Sequence, residues 1–289
     1  MNIAKRAEGR GQRGPSLRLA AFTMIEIVIS LAIIGFALVA IIGILPTGMN
    51  VQRDNRQETI INQDASVFMN ALRNGERGLN DLTNYIVAIT NYAYLYRANG
   101  GFTPSLSWYT RTGSVTNGNA SPYWLTNGYY IVGLLGTPKF TQILYNQRGQ
   151  LLSYISNHTI AVFRSISGPA SEKFPQANPT VQDLSMTYKL ITEVSPYGTN
   201  FYSPLWTNFS IAGLSLADRI ARSNYMHVVK YYETNLHDVR LTFRWPMLPN
   251  GNSGPGRQVF RSMVSGPYTN DPPSSPFFFF QPNFYFRGS

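Results

Sequence analysis

Residues 20–36 read AAFTMIEIVISLAIIGF, an apolar run with a single carboxylate, Glu26, near its start. Beyond it, Ile27 to Leu45 is a stretch of 19 residues without a charge. Built as an α-helix at about 1.5 Å per residue, that stretch spans roughly 28 Å, close to the ~30 Å hydrocarbon thickness of a bilayer. A membrane-spanning helix is the leading expectation. A buried core helix and a secretory signal peptide are the alternatives. A signal peptide has a shorter apolar region and a small-residue cleavage site after it, and GILPTGMNVQRDN, residues 43–55, offers no such site. Glu26 is costly in this setting: a carboxylate at mid-helix costs about 2.5–3.5 kcal/mol on insertion scales, and less near the interface. Either the side chain snorkels at the membrane boundary or something comes to pair with it.

The flank before the run is basic. Lys5, Arg6, Arg10, Arg13 and Arg18 face only Glu8. Such a flank stays cytoplasmic and sets topology. The whole chain has 289 residues and a net charge of +10, but without residues 1–21 it keeps 19 basic and 13 acidic side chains, or +6. No basic stripe interleaved with aromatics follows, so no nucleic-acid partner is expected. Only 13% of residues are charged, about half the usual share, while 44% are hydrophobic and 13% aromatic. A surface built from Asn, Ser, Thr and Gly suits an exported or filament-forming protein. There is no cysteine, which excludes disulfides, thiolate metal sites and cysteine nucleophiles.

The combination RLAAFTMIEIVISLAIIG, residues 18–35, resembles the type IV pilin and type II secretion pseudopilin family. The family's signature is a short basic leader, a small residue, Phe-Thr-Met/Leu-Ile-Glu and a long apolar helix. The resemblance implies cleavage between Ala21 and Phe22 by a prepilin peptidase, with N-methylation of Phe22. Ala21 departs from the glycine usual before the cut. The mature chain would then have 268 residues, and Glu26 would be its fifth. In filaments of this family the apolar helices bundle, and the acid of one subunit is thought to meet the terminal amine of its neighbour. A buried charge is penalised heavily alone and much less when paired. On this reading the otherwise unpaired Glu26, with Thr23 beside it, sets axial register during assembly. The implied partners are the peptidase, other pilin or pseudopilin subunits and an inner-membrane assembly platform. The implied location is the inner membrane, single-pass, with the C-terminal domain outside, and later the filament. The length points to a minor subunit. In secretion pseudopili the tip-capping subunit tends to lack the acid, so Glu26 argues against that position.

The expected fold class is α+β, a long N-terminal helix packed on an antiparallel sheet. Residues 1–21 form the leader, 22–75 the helix (22–45 being its membrane and assembly part), and 76–289 a β-rich head. Gly43, Pro46 and Gly48 predict a kink in the helix, or less simply its end at Leu45. Helical periodicity resumes at Ile60, Ile61, Asp64, Val67, Phe68, Ala71 and Leu72, and Asn74 and Gly75 read as a C-terminal stop. Leu82, Ile86 and Ile89 predict a short helix within residues 79–96. Residues 97–128, rich in Gly, Asn, Ser and Thr, read as a long surface loop, which either carries recognition or binds nothing. YYIVGLL (129–135), HTIAVFRSI (158–166) and LSMTYKLITEV (184–194) read as strands. VRLTFRW (239–245) alternates cleanly and, with RQVFRSMV (257–264), reads as a hairpin. In DPPSSPFFFFQPNFYFRGS (271–289), four consecutive Phe cannot share one strand face. The segment is expected to pack on its own domain, with contact to a neighbouring subunit as the alternative.

The sequence carries no catalytic or metal-binding pattern. His158, His227 and His237 lack metal-ligand spacing, and His237 and Asp238 would point to opposite faces of a strand. No nucleophile elbow, phosphate-binding loop or calcium loop is present. No enzyme activity and no cofactor are expected. A second functional class remains: a membrane-anchored binding or adhesion module whose aromatic-rich head contacts carbohydrate or a secreted substrate. An aromatic cluster exposed on one face of the sheet would favour it.

Overall fold

The structure, a computed structural model, describes residues 22–145, 151–168, 186–197 and 215–284. Ala21 and the leader, where the cleavage is expected, lie outside the described residues. The chain divides into two units between Asn55 and Arg56. The first unit contains the opening part of helix α1 (Met24–Arg73), which runs without interruption through Gly43, Pro46 and Gly48. The second unit contains the rest of α1 and the head.

α1 ends on a Schellman motif. Gly75 takes φ +61°, its N–H donates to the Leu72 carbonyl at 3.1 Å, and the Glu76 N–H donates to the Ala71 carbonyl at 3.0 Å. The stop anticipated at Asn74–Gly75 is where the helix stops. A Cβ at Gly75 would lie 2.2 Å from the Phe280 carbonyl oxygen, so the residue is fixed by close approach as well as by its dihedral.

Next come a short helix α2 (Leu82–Tyr85) and strands β1 (Ile86–Arg97), β2 (Phe102–Thr110), β3 (Ser114–Thr116) and β4 (Asn119–Ala120). Helix α3 (Gly128–Leu135) precedes β5 (Phe140–Tyr145), β6 (Leu151–Arg164) and β7 (Thr187–Pro196). Helix α4 (Leu216–Asn235) leads into β8 (Leu236–Met247), β9 (Ser253–Ser265), β10 (Tyr268–Asn270) and β11 (Phe278–Phe280). β1 to β9 form one sheet with strand order β4-β3-β2-β1-β6-β7-β8-β9, and β5 pairs with the first half of β6. All these pairings are antiparallel. The α+β class therefore stands.

Three expectations are corrected. Residues 97–128 are not a loop: they hold β2, β3 and β4, which extend the sheet beyond β1. YYIVGLL is helix α3, not a strand, because Asn127 caps it, its Oδ1 accepting from the Tyr130 N–H at 2.9 Å. The helix expected in 79–96 lasts one turn and gives way to β1. A register shift between Ile86 and Ala88 inserts an extra residue, so Ile86 and Ile89 both point inward at a spacing that mimics a helix. The hairpin β8–β9 pairs in register from Leu236↔Ser265 to Trp245↔Gly256, as its alternation predicts.

The core lies on one face of the sheet. Ile89, Ala161, Phe163, Tyr188, Leu190, Val239, Leu241 and Phe243 are fully buried there. The second half of α1 adds Ile61, Ala65, Phe68, Ala71 and Leu72. Phe68 seats its ring 4.6 Å from that of Phe163. Val67, placed on the same helical face by the periodicity, is only half-buried. Phe277 and Phe279 close the core from the C-terminal side against Tyr123, Tyr129 and Tyr130, and Phe280 packs against His237 and Tyr268. The four-Phe segment thus packs on its own domain.

Candidate functional site

The N-terminal site is built by three residues. Phe22 and Thr23 precede the first helical residue, and Glu26 lies in the first turn. Thr23 and Glu26 form a reciprocal capping box. One Glu26 carboxylate oxygen, Oε2, accepts from the Thr23 N–H and from the Thr23 hydroxyl, both at 2.8 Å. The Glu26 N–H points back at the Thr23 hydroxyl oxygen at 3.4 Å. The Ser30 hydroxyl donates to the Glu26 carbonyl at 2.7 Å. Glu26 is therefore hydrogen-bonded within its own chain, by neutral groups that leave its charge in place. Thr-x-x-Glu at 23–26 is the sequence signature of this box, and it was the overlooked signal.

The box works through Oε2 of Glu26 and holds the carboxylate against Thr23 at the helix start. From Phe22 to Val51 every residue is exposed, including Ile25, Ile29, Ile33, Phe36, Val39 and Ile44. α1 is long and apolar enough to cross a membrane. Such a face in water would be unfavourable by about 25 cal/mol for each Å² left uncovered, so it calls for lipid or other apolar helices. Pro46 lacks the N–H that would complete the helical ladder.

In the head, Asp64 links α1 to the sheet. Its carboxylate is buried and accepts from the Tyr188 hydroxyl at 2.8 Å, the Ile166 N–H at 2.9 Å and the Ser167 N–H at 2.8 Å. Burial pushes its pKa up, against the opposing pull of these hydrogen bonds. Burial, and then the charge of Asp64, pushes Tyr188 well above its ordinary value. The one polar member of the amphipathic face is thus a structural tie.

The opposite face of the sheet is partly aromatic. Tyr92, Tyr96, Phe102, Leu106 and Trp108 are all exposed. Register places them together: Tyr92 faces Leu106, and Tyr96 faces both Phe102 and Tyr154. The Tyr96 and Tyr154 rings stack at 5.1 Å. Toward β9 the same face turns charged, with Glu193 between Lys139 (3.1 Å) and Arg240 (3.5 Å) and Arg261 on Asp238 at 2.7 Å.

His158 and His227 are exposed, whereas His237 is buried on the inner face of β8. Among the described residues no three His, Asp or Glu side chains converge as a metal site would need. Compared with protein-family models, curated proteins and solved structures, the chain gives no match.

Proposed function

We propose that the protein is a prepilin-like structural subunit of a type IV pilus or type II secretion pseudopilus. In this reading a prepilin peptidase cuts after Ala21 and the new terminus at Phe22 is N-methylated. The mature chain waits in the inner membrane as a single-pass protein, its head outside, and is drawn into the filament through residues 22–45. Its partners are other subunits and the assembly platform, and its size fits a minor component. The observation that carries the reading is the uncovered apolar stretch of α1, opened by a carboxylate that Thr23 orients at the helix start. A neighbour's terminal amine would find an acid already held in place, so little side-chain entropy remains to be lost on pairing. Mass spectrometry of the protein from its native membrane tests the reading: a start at methylated Phe22 is expected. A chain that retains Met1, or one that starts beyond residue 40, would overturn it.

The exposed aromatic row of Tyr92, Phe102 and Trp108 favours a second reading, a membrane-anchored adhesion module. The two separate on one measurement: an anchored module stays in the membrane fraction, while a filament subunit sediments with sheared filaments.

A further inference from the structure

Strand register aligns three cations across the outer face of the sheet. Lys189 of β7 lies opposite Arg244 of β8, and Arg244 lies opposite Arg257 of β9. Their neighbours Tyr188, Leu190 and Phe243 are fully buried, so the pleat turns Lys189 and Arg244 away from the core. Arg244 and Arg257 are exposed and Lys189 is half-buried. With strands about 4.8 Å apart, the row spans about 10 Å. Arg164 of β6, opposite Thr187, stands diagonal to Lys189 and adds a fourth cation. Like charges set directly opposite one another destabilise a sheet.

Elsewhere on the same face such a pair is neutralised. Arg240 and Arg261 also stand opposite each other, but Glu193 lies 3.5 Å from Arg240 and Asp238 lies 2.7 Å from Arg261. Among the described residues Arg164, Lys189, Arg244 and Arg257 have no carboxylate partner. Lys189 reaches only the Gly251 carbonyl, at 3.5 Å. The row calls for a counter-charge that the described part of the head does not supply.

The row also lies at a particular end of the sheet, the end at which α1 enters the head. Asn62 accepts a hydrogen bond from Gln258, the neighbour of Arg257, at 2.9 Å. Asp64 accepts from the Ile166 and Ser167 N–H groups, just beyond Arg164. The β8–β9 turn at this end carries Leu248, an exposed apolar side chain. Residues 46–55, ten in all, separate the uncharged stretch ending at Leu45 from the start of the head at Arg56. Even fully extended, ten residues reach at most about 36 Å. A head on so short a tether is never far from the bilayer that holds the stretch.

We propose that this cationic row is a docking surface for the anionic headgroups of the membrane that anchors the chain. The inference rests on the membrane anchorage in the function proposed above. Arg guanidinium groups take phosphate oxygens in pairs, and Lys adds a point charge. Clustered cations near a bilayer gain from its negative surface potential within a Debye length, and Leu248 can bury its side chain among the headgroups. A single-stranded nucleic acid would need rings beside the cations for its bases to stack on. The outward positions next to the row are Val162, Ile191, Thr242 and Val259, none of them aromatic.

The test uses the full chain in lipid nanodiscs. The chain has no cysteine, so Val259→Cys gives one labelling site, exposed and beside the row. A fluorophore there is read against a nitroxide on the headgroup of a minor lipid. Quenching is expected to be at least twofold greater in discs containing phosphatidylglycerol than in discs of phosphatidylcholine alone. The difference is expected to vanish in 0.5 M salt and in the double variant Arg244→Gln/Arg257→Gln. That variant removes only exposed, mutually repelling charges, so its thermal midpoint is expected to stay level or rise. Entry into the discs with quenching that ignores lipid charge, or ignores the double substitution, would overturn the docking and leave the anchor standing. Failure to enter discs of either kind would overturn the anchor and the docking together. Binding of labelled oligothymidylate or heparin to the chain in phosphatidylcholine discs, lost in the double variant, would assign the row to a soluble polymer and also overturn the proposal.

Discussion

The Tyr188 hydroxyl donates to the Asp64 carboxylate at 2.8 Å, joining residues 124 apart in sequence. The bond ties the helical half of the head to the middle of the sheet, and the Ile166 and Ser167 N–H groups complete the carboxylate's shell.

Asp64→Asn puts an amide where two N–H donors and a hydroxyl converge. It is expected to cost about 1–3 kcal/mol of head stability in chemical denaturation near pH 7. The pH dependence has a definite sign. Burial raises this carboxyl in the folded chain, so between its unfolded value of about 3.8 and its folded value the native state holds more protons. Its contribution therefore grows as pH falls toward 3.8 and shrinks as pH rises through the folded value. The gap between wild type and Asp64→Asn should widen on acidification. A gap that narrows would show that the carboxyl is not raised.

His237 acts in the opposite direction. Its folded value is lowered from 6.5 to about 4, so the unfolded chain takes up the proton first. Stability is full above 6.5 and is lost as pH falls from 6.5 toward 4, by about 3 kcal/mol at most. Urea midpoints measured across that range should fall steeply for wild type and less for His237→Gln. Parallel curves would contradict the assignment.

Gly75→Ala meets two obstacles, a left-handed backbone and the Phe280 carbonyl 2.2 Å from the new Cβ. The left-handed conformation alone costs about 1–2 kcal/mol for a residue with a side chain. A loss above 2 kcal/mol is expected in thermal or urea unfolding. A loss below about 1 kcal/mol would mean that the tail does not sit on the helix end.

Thr23→Ala removes both hydroxyl contacts of the capping box and leaves only the residue-23 N–H on Glu26, while Thr23→Ser keeps the hydroxyl. Under the proposed function, Thr23→Ala and Glu26→Ala should insert in the membrane normally and enter filaments several-fold less than wild type. Thr23→Ser should enter at near wild-type level. Equal incorporation of all three would separate the capping box from assembly.

What the sequence revealed depended on whether burial was one-sided. The second half of α1 and the β8–β9 hairpin each expose one face, so Phe68 and Leu72, or Leu241 and Phe243, mark it periodically. α3 is buried nearly all round, and an apolar run of that kind carries no period to distinguish helix from strand; only Asn127 betrayed it. α4 begins on Ser215, whose hydroxyl accepts from the Asp218 N–H at 3.2 Å, another cap that the pattern Ser-x-x-Asp announces. β2 lacks a buried alternation for most of its length, so its polar composition read as loop.

The closing of the core by Phe277, Phe279 and Phe280 has a consequence for biogenesis. The head cannot seal its interior until residue 280 has left the ribosome and crossed any membrane in its path. Until then, α3 and the end of α1 present greasy surfaces that chaperones or proteases can seize. Chains broken off short of that point keep this surface open.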